Sequence, residues 1–158
     1  MSMDEATFTQ RCRACAGRLY RLSYLILRSH ADCEDALQEA LIRAWTHRDK
    51  LRDESLFETW LVRILINESK RILKRRGERA TSPLPPDAPA RSPQDRALWD
   101  ALAALPDAYR VVLLLHHMEG YTAAETARIV GLPLTTVKWR LQEGKKRLRA
   151  LLREEVPE

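Results

Sequence analysis

Apolar residues recur at three- and four-residue steps along most of the chain, which is the spacing of one face of an α-helix. In the first half, this spacing predicts helices over residues 4–28, about 33–48 and about 56–76. Polar stretches at residues 29–32 and 49–55 separate them. The residues predicted to face inward are Phe8, Cys12, Cys15, Leu19, Leu22, Ile26, Leu37, Leu41, Ala44, Trp45, Phe57, Trp60, Leu61, Ile64, Leu65 and Ile72.

The second half predicts four further helices. One follows Ser92 or Pro93, with Leu98, Trp99, Leu102 and Leu105 as its apolar set, and the next covers residues 107 to about 118, with Tyr109, Val112, Leu113 and His116. Thr122 and Glu125 form a capping box that starts a short helix at Ala123. Gly131 ends that helix near Val130, because glycine readily adopts the left-handed conformation of a helix C-terminus.

The last helix follows Pro133 and is predicted to be capped by Thr135 or Thr136. Its apolar positions are Val137, Leu141, Leu148 and Leu151. Its outer face is polar and mostly basic, and it consists of Thr136, Lys138, Trp139, Arg140, Gln142, Lys145, Lys146 and Arg149. A short helix, a tight turn and a second helix with such a face form the helix-turn-helix plan, whose second helix fits the DNA major groove. A helical hairpin with a solvated charged face is the alternative.

Five of the eight prolines lie in residues 77–93, a stretch with almost no large apolar side chains. Such a segment cannot bury enough surface to fold alone, so we predict a semi-extended linker. The predicted architecture is all-α, with one small helical domain over residues 1–76 and a second, containing the helix-turn-helix, over residues 94–158.

The charge of the chain is unevenly distributed. The net charge is +5 and the isoelectric point about 9.4, which favours an anionic partner. Residues 70–79 and 138–149 are mostly basic, whereas residues 32–39 are acidic. Because no apolar run has the length of a signal peptide or membrane span, we expect the chain to act in the cytoplasm as written. The three cysteines agree with that compartment, since an odd number is a poor disulfide framework.

Two surfaces of the first domain are candidate binding sites. Asp35, Gln38 and Glu39 share one helical face and form an acidic patch, with a solvated helix flank as the alternative interpretation. The third helix ends in a cationic cluster of Lys70, Arg71, Lys74, Arg75 and Arg76. Together with the aromatic residues at its start, this cluster would suit a single strand of nucleic acid. For Trp60, however, the spacing favours a place in the core.

Metal binding and catalysis are disfavoured. Cys12, Cys15, His30 and Cys33 have ligand-like spacing, but a continuous first helix would separate Cys15 from the turn at His30 by about 20 Å. No metal or cofactor is therefore predicted. His116 and His117 should face different directions on a helix, and the sequence contains neither an oriented nucleophile and base nor a phosphate-binding glycine-rich loop. An enzyme is not expected.

Three segments together resemble a known family. They are DCEDALQEALIRAW at residues 32–45, SLFETWLVRILINESKRILKRR at residues 55–76, and LPDAYRVVLLLHHMEGYTAAETARIVGLPLTTVKWRL at residues 105–141. They resemble, in order, the two conserved domains of bacterial RNA polymerase sigma factors of the extracytoplasmic-function group. The resemblance covers most of the chain from Leu19 to Leu152.

The resemblance implies that the protein binds core RNA polymerase and directs it to a promoter. Asp35, Gln38 and Glu39 match the family positions that dock on the clamp coiled coil of the largest catalytic subunit. The positions matching capture of the unpaired −10 strand are Asn67, the loop at residues 51–56, and the basic Lys70, Arg71, Lys74 and Arg75. Those matching the helix that reads the −35 element are Thr136, Lys138, Trp139, Arg140, Gln142 and Lys145. An anti-sigma factor is a further expected partner.

The chain also departs from the family at Trp139 and Glu143. Trp139 is bulky for a groove contact, and Glu143 would repel phosphate, although it could accept a hydrogen bond from cytosine. These two residues leave open a sigma-like decoy or adaptor that binds an anti-sigma factor and never opens DNA. A plain DNA-binding repressor is another alternative, but it leaves the first domain unexplained.

Overall fold

The computed structural model describes residues 2–77 and 93–155, and within these ranges all regular secondary structure is helical. This confirms the predicted all-α fold class. The chain divides into two compact units, Met1–Thr81 and Ser82–Glu158. The predicted linker at residues 77–93 lies outside the described residues except at its two ends.

The first unit is a bundle of three helices. They are α1 (Glu5–Leu27), α2 (His30–Thr46) and α3 (Phe57–Arg76), and each packs against the other two. Two short 3₁₀ turns, Arg48–Lys50 and Glu54–Leu56, overlap the segment 49–55 that was predicted to be a loop.

The junction between α1 and α2 is shorter than predicted. Arg28 ends α1 in the left-handed conformation, with φ 54°, and its N–H donates to the Tyr24 carbonyl at 2.7 Å. Ser29 then caps α2 by accepting a hydrogen bond from the backbone N–H of Asp32 at 3.2 Å. The polar residues after Ser29 were interpreted as a break, but they form the first turn of α2, where polar and acidic side chains are favourable.

Small residues form the buried stripe of α2, and of these only Ala44 was predicted. Cys33, Ala36, Ala40 and Ala44 are fully buried, whereas the predicted Leu37, Leu41 and Trp45 are only half-buried. The large core side chains come from the neighbouring helices, among them Leu22, Ile26, Leu61, Val62, Leu65 and Ile66. Alanine lets these helices approach α2 closely, so it occupies the centre of the contact. Trp60 is half-buried at the edge of this core, with its ring centroid 6.0 Å from that of Phe57.

Arg76 belongs to the structure of the bundle rather than to an exposed cationic cluster. Its guanidinium donates to the Leu27 carbonyl at 2.7 Å and pairs with Asp32 at 3.1 Å. Only 14% of its side chain is exposed. The end of α3 is thereby tied to the junction of α1 and α2, which corrects the inclusion of Arg76 among the solvent-facing cations.

The second unit is built around its last helix. Its elements are α4 (Pro93–Ala104), α5 (Asp107–Leu113), a π-helical turn (Leu114–Met118), α6 (Ala123–Val130) and α7 (Leu134–Glu155). Helix α7 packs against α4, α5 and α6. The core consists of Ala101, Leu102, Leu105, Val111, Val112, Leu113, Leu114, Leu115, Ile129, Val130, Val137 and Leu141.

The predicted bounds of α6 are confirmed. The Thr122 hydroxyl accepts from the N–H of Glu125, the Glu125 carboxylate accepts from the N–H of Thr122, both at 3.0 Å, and Gly131 is left-handed with φ 73°. The predicted cap of α7 is wrong. Helix α7 begins at Leu134, and the Pro133 carbonyl accepts the hydrogen bond from Val137 at 3.1 Å. The two threonines therefore lie inside its first turn, because proline can precede a helix although it cannot continue one.

Gly144 of α7 packs closely against α5, and this contact was not predicted. It is buried, and a Cβ built on it would lie 3.1 Å from Leu113 Cδ1 and 3.3 Å from Tyr109 Cβ. Real Cβ atoms rarely come so close to a neighbour. Because glycine has only a hydrogen in place of a Cβ, α5 and α7 can pack together at this position.

Replacing Gly144 by valine is expected to destabilise the second unit by about 1–3 kcal/mol, because the added methyl groups force α5 away from α7. Gly17 in α1 provides a matched control, since no atom of a neighbouring element lies within 4 Å of the place that a Cβ would occupy there. Urea unfolding should show a lower midpoint for Gly144→Val and little change for Gly17→Val. Equal midpoints for the two variants would contradict the close packing.

Candidate functional site

A groove of about 840 Å³ runs between α2 and α3 in the first unit. Its lining residues are Asp35, Ala36, Gln38, Glu39, Ile42, Arg43, Glu68, Arg71, Ile72, Lys74 and Arg75. The carboxylates are concentrated on the α2 wall and most of the cations on the α3 wall. All three residues of the predicted acidic patch and three of the predicted −10 residues therefore share one groove.

The acidic patch is solvent-exposed, as a docking surface requires. Asp35, Gln38 and Glu39 are all exposed. Ile42, one turn further along α2, is 60% exposed, which is unusual for a large branched apolar side chain. It follows Gln38 by four residues and Glu39 by three, so it extends the same helical face. Sequence reasoning missed Ile42, although its absence from the apolar stripe of α2 was a usable signal.

Arg43 and Glu68 join the two walls of the groove. Arg43 Nε lies 2.7 Å from Glu68 Oε1 and 3.3 Å from Glu39 Oε1. Glu68 Oε1 also lies 3.7 Å from Arg71 Nη1. Nothing in the sequence pattern singled out Glu68, which stands between the polar Asn67 and Ser69 and is nevertheless buried.

The predicted −10 residues share one face of α3, because Asn67, Arg71, Lys74 and Arg75 have helical spacing. All four are exposed, while Lys70 is half-buried. Asn67 lies outside the groove lining, one turn before Arg71. In the preceding loop, the Asp53 carboxylate accepts from the backbone N–H of Ser55 at 3.0 Å, and Leu56 is 46% exposed.

A second groove of about 840 Å³ lies within the second unit, along α7. It is lined by His116, His117, Ala123, Lys138, Trp139, Leu141, Gln142, Glu143, Lys145, Lys146 and Arg149. Four of the six predicted −35 residues are in this lining. Thr136 and Arg140 are not; both are half-buried, and their spacing along α7 places them in line with Arg147 and with Glu143, which lies at the edge where that line meets the groove.

Glu143 has a cationic neighbour that the sequence analysis did not weigh. Its carboxylate pairs with Arg147 at 3.3 Å, and the Arg147 guanidinium lies 4.6 Å from the centre of the Tyr109 ring. The negative charge is thus balanced within α7, which removes much of the expected repulsion from a phosphate. Trp139 is 57% exposed, with its ring centroid 6.2 Å from that of Tyr109.

The π-helical turn changes the expected geometry of the histidine pair. The rings of His116 and His117 meet edge to face, with centroids 4.7 Å apart, although they were expected to diverge. His116 Nδ1 lies 2.7 Å from the Tyr121 carbonyl, so this nitrogen carries the proton and donates. Burial lowers the pKa of His117, and the nearby Lys145 and His116 lower it further. His117 therefore remains neutral at pH 7 beside the lysines of the groove.

The cysteines contribute to packing. Burial raises the pKa of Cys12 to about 11 and also raises the pKa of Cys15 and Cys33. Cys33 Sγ lies 2.6 Å from the Ser23 hydroxyl in the interior, and Cys15 donates to the Arg11 carbonyl at 3.3 Å. Within residues 2–77 and 93–155, no group of three His, Cys, Asp or Glu side chains is arranged to hold a metal ion. In the same ranges, no helix is long and apolar enough to cross a membrane.

The capping box of α6 predicts a pH dependence. The backbone and side-chain hydrogen bonds with Thr122 hold the pKa of Glu125 below its ordinary value of 4.5. A lowered pKa contributes stability above the unfolded value, and that contribution is lost as the pH falls through the folded value. Glu125→Gln should therefore cost about 0.3–1 kcal/mol at neutral pH and nothing in acid. Urea unfolding between about pH 3 and pH 7 measures this, and a pH-independent difference would contradict it.

Comparison with known proteins defines the class first. Residues 12–79 match the model of sigma-70 region 2, and residues 95–148 match that of sigma-70 region 4. Among solved structures, the sigma factor RpoE in complex with the anti-sigma factor NepR from Bartonella quintana is similar, with a TM-score of 0.79, 25% identity, and 92% of this chain and 96% of that chain covered. CnrH in complex with the cytosolic domain of CnrY shares the fold, with a TM-score of 0.76 and 24% identity over 97% of this chain and 92% of that chain.

The relatives then define the group. The chain is 33% identical over 154 residues to the ECF RNA polymerase sigma factor SigM of Mycobacterium tuberculosis, covering 94% of this chain and 79% of SigM. It is 29% identical over 171 residues to the ECF RNA polymerase sigma factor SigW of Bacillus subtilis, covering 96% and 91%. The chain belongs to the ECF RNA polymerase sigma factors. It is a DNA-binding factor for promoter-specific initiation of transcription, acting with core RNA polymerase.

Proposed function

We propose that three surfaces of this chain divide the work of initiation. The acidic face of α2 binds core polymerase, the basic face of α3 holds the unpaired −10 strand, and α7 anchors the −35 duplex. The observation that carries the proposal is the groove between α2 and α3, in which an exposed acidic wall faces an exposed basic one. One small unit can thereby bind partners of opposite charge side by side.

The polymerase surface consists of Asp35, Gln38, Glu39 and the exposed Ile42. Charged and polar side chains at the rim of an interface steer association, while a desolvated apolar residue supplies affinity. Ile42 has the exposure and position for that second role. The partner surface would therefore be cationic with an apolar pocket one helical turn away.

The −10 surface consists of Asn67, Arg71, Lys74 and Arg75, with Lys70 and the loop at residues 51–56 beside them. Opening a duplex costs unstacking energy, which a protein offsets by holding the displaced strand. The exposed cations suit the phosphates, and the Asn67 amide can donate to and accept from a base edge. Arg76 has no place in this surface because Leu27 and Asp32 already hold it.

The −35 surface is the groove face of α7. Lys138 and Lys145 suit backbone phosphates, and the Gln142 amide can pair with an adenine edge in the major groove. Trp139, exposed beside Tyr109, is placed to pack against the sugar-phosphate backbone. Thr136 and Arg140 would reach DNA from the neighbouring face of the helix, since their side chains lie outside the groove.

The domain boundaries proposed are residues 1–76 and 94–158, joined by residues 77–93. When a linker lets two weak binding sites on one chain reach the same promoter, binding at one site raises the effective concentration of DNA at the other.

The similar RpoE structure is a complex with an anti-sigma factor, which supports such a protein as a further partner for this chain. We also propose that the chain acts in the cytoplasm and has no enzymatic activity, since initiation factors work by binding.

The −10 assignment can be tested by strand opening. Lys74→Gln/Arg75→Gln should lower open-complex formation by about ten-fold, because two phosphate contacts are lost. Permanganate reactivity of unpaired thymines measures opening, and binding to core polymerase measured in parallel should stay near the wild-type value. Arg13→Gln/Arg21→Gln in α1 removes the same charge from another surface and should leave opening intact. Equal losses in the two double variants would contradict the assignment.

A further inference from the structure

The turn that leads into α3 has no buried side chain of its own. Residues 52–56 are all exposed, and the first core residue after them is Phe57, which is 4% exposed. Hydrogen bonds within the turn set its shape. The Asp53 carboxylate accepts from the backbone N–H and the hydroxyl of Ser55 at 3.0 and 2.7 Å, and the Asp53 carbonyl accepts from the N–H of Leu56 at 3.0 Å. These contacts are local, so they do not fix where the turn lies against the bundle.

Arg11 of α1 fixes that place through contacts with the turn. Its Nη1 donates to the main-chain carbonyl of Glu54 at 2.8 Å, and its Nη2 donates to the Glu54 carboxylate at 3.0 Å. The same carbonyl accepts the N–H of Phe57. The Arg11 guanidinium also lies 5.9 Å from the centre of the Phe57 ring. One side chain thus joins α1, the turn and the first residue of α3.

The two hydrogen bonds depend on the shape of the guanidinium. A planar fork of donors can engage a carbonyl and a carboxylate at once, whereas a lysine ammonium acts as a point charge. The Arg11 side chain is 36% exposed and that of Glu54 is 55% exposed, so charge attraction alone would be weak in water. The bond to the main-chain carbonyl adds a direct restraint on the backbone of the turn.

We infer that Arg11 is a positioning residue for −10 capture, which holds the 3₁₀ turn Glu54–Leu56 in the place from which the loop meets the unpaired strand. The inference rests on the proposed role of the loop at residues 51–56. The cations of α3 hold phosphates whatever the base sequence, whereas a loop contacts particular bases only from a defined position. Arg11 therefore contributes to the sequence preference of strand binding and not to its overall strength.

Arg11→Gln should lower the preference for a −10 strand by about two- to five-fold, because without the tie only part of the molecules hold the loop in the competent place. The preference is the ratio of the affinities for a single-stranded oligonucleotide with the selected −10 sequence and for a scrambled one of the same composition. Affinity for the scrambled strand should stay near the wild-type value. Anisotropy of fluorescein-labelled oligonucleotides, bound by the holoenzyme, measures both.

Three further variants separate the positioning role from charge. Arg11→Lys keeps the charge but not the fork of donors, so it should recover only part of the preference. Glu54→Gln keeps the main-chain carbonyl, and it should therefore lose less than Arg11→Gln. Arg13→Gln removes the same charge from an exposed position of α1 and is expected to retain the full preference.

Hydrogen exchange measures the turn without DNA. The N–H groups of Leu56 and Phe57 donate to carbonyls of the turn. In Arg11→Gln their exchange should be about two- to five-fold faster, because the turn opens locally more often. Amides in the middle of α3 should exchange at the wild-type rate.

Loss of preference with faster exchange in Arg11→Gln, absent in Arg13→Gln, would support the inference. An unchanged preference, unchanged exchange, full recovery in Arg11→Lys, or an equal fall in affinity for both strands would overturn it. The double variant Asp53→Ala/Leu56→Ala tests the loop itself. If it keeps the full preference, the loop has no part in −10 capture, and that assignment fails together with the inference. If it loses the preference while Arg11→Gln keeps it, only the positioning role fails.

Discussion

Core RNA polymerase should bind the Asp35→Ala/Gln38→Ala/Glu39→Ala variant about 100-fold more weakly than the unmodified chain, or roughly 2.7 kcal/mol. The three side chains are exposed on one face of α2 in the groove against α3. Truncating them removes the charged and polar contacts that orient the partner, and a few such residues carry most of the energy of an interface. The measurement is competition binding against a labelled chain.

The fold should survive this substitution, because exposed positions usually change stability by less than about 0.5 kcal/mol. The matched control is Glu5→Ala/Gln10→Ala/Asp49→Ala, which removes the same two charges and one amide from exposed positions elsewhere in the first unit. We expect the control to bind core polymerase normally. A comparable loss in the control would show that net charge, and not this face, determines the affinity.

Removing two cations from the groove of α7 should have the second large effect. Lys138→Gln/Lys145→Gln is expected to weaken binding to a promoter duplex by about ten- to 100-fold at moderate salt. Both lysines are exposed and line the same groove, where a phosphate contact would release counterions. The slope of log affinity against log salt should therefore become shallower by about 1.8 for two lost contacts.

The salt dependence is measured with the holoenzyme on a duplex selected from a promoter library. Arg96→Gln/Arg153→Gln removes two exposed cations of the same unit that lie outside the groove. For this control the slope should stay at its wild-type value. A shallower slope in both double variants would mean that DNA binding depends only on the overall charge of the unit and not on this groove.

Local signals in the sequence were sufficient for most helix boundaries. The start of α6 is marked by the capping box of Thr122 and Glu125, and its end by the left-handed Gly131. Each signal involves residues only a few positions apart, so the sequence alone is enough to predict these two boundaries. The start of α2 was misplaced for a related reason. Polar residues at a helix N-terminus look like a loop unless the preceding Ser29 is recognised as the cap.

Features that depend on contacts between helices could not be predicted. Of the buried alanines of α2, only Ala44 was predicted; Ala36, Ala40 and the buried Gly144 of α7 carry little hydrophobic signal, yet they determine how closely the helices pack. The π-helical turn that brings His116 against His117 is an adjustment of the backbone, and no characteristic amino-acid composition marks it in the sequence.

The candidate sites show the same division. Asp35, Gln38 and Glu39 could be grouped from their spacing on one helix, and the family resemblance supplied their expected role. The groove that they share with Arg71, Lys74 and Arg75 forms only when α2 and α3 pack against each other, so it could not be read from either helix alone. The contact between Arg43 and Glu68 likewise spans α2 and α3, so only the folded bundle reveals it.

Run-off transcription with purified core polymerase on a library of promoter fragments tests most directly whether this chain initiates transcription through the acidic face of α2. We predict specific initiation with the unmodified chain and its loss in the Asp35→Ala/Gln38→Ala/Glu39→Ala variant. The selected fragments would also identify the −10 and −35 sequences. Initiation that is equally strong in the variant, or no initiation by folded chain with active core polymerase, would contradict this prediction.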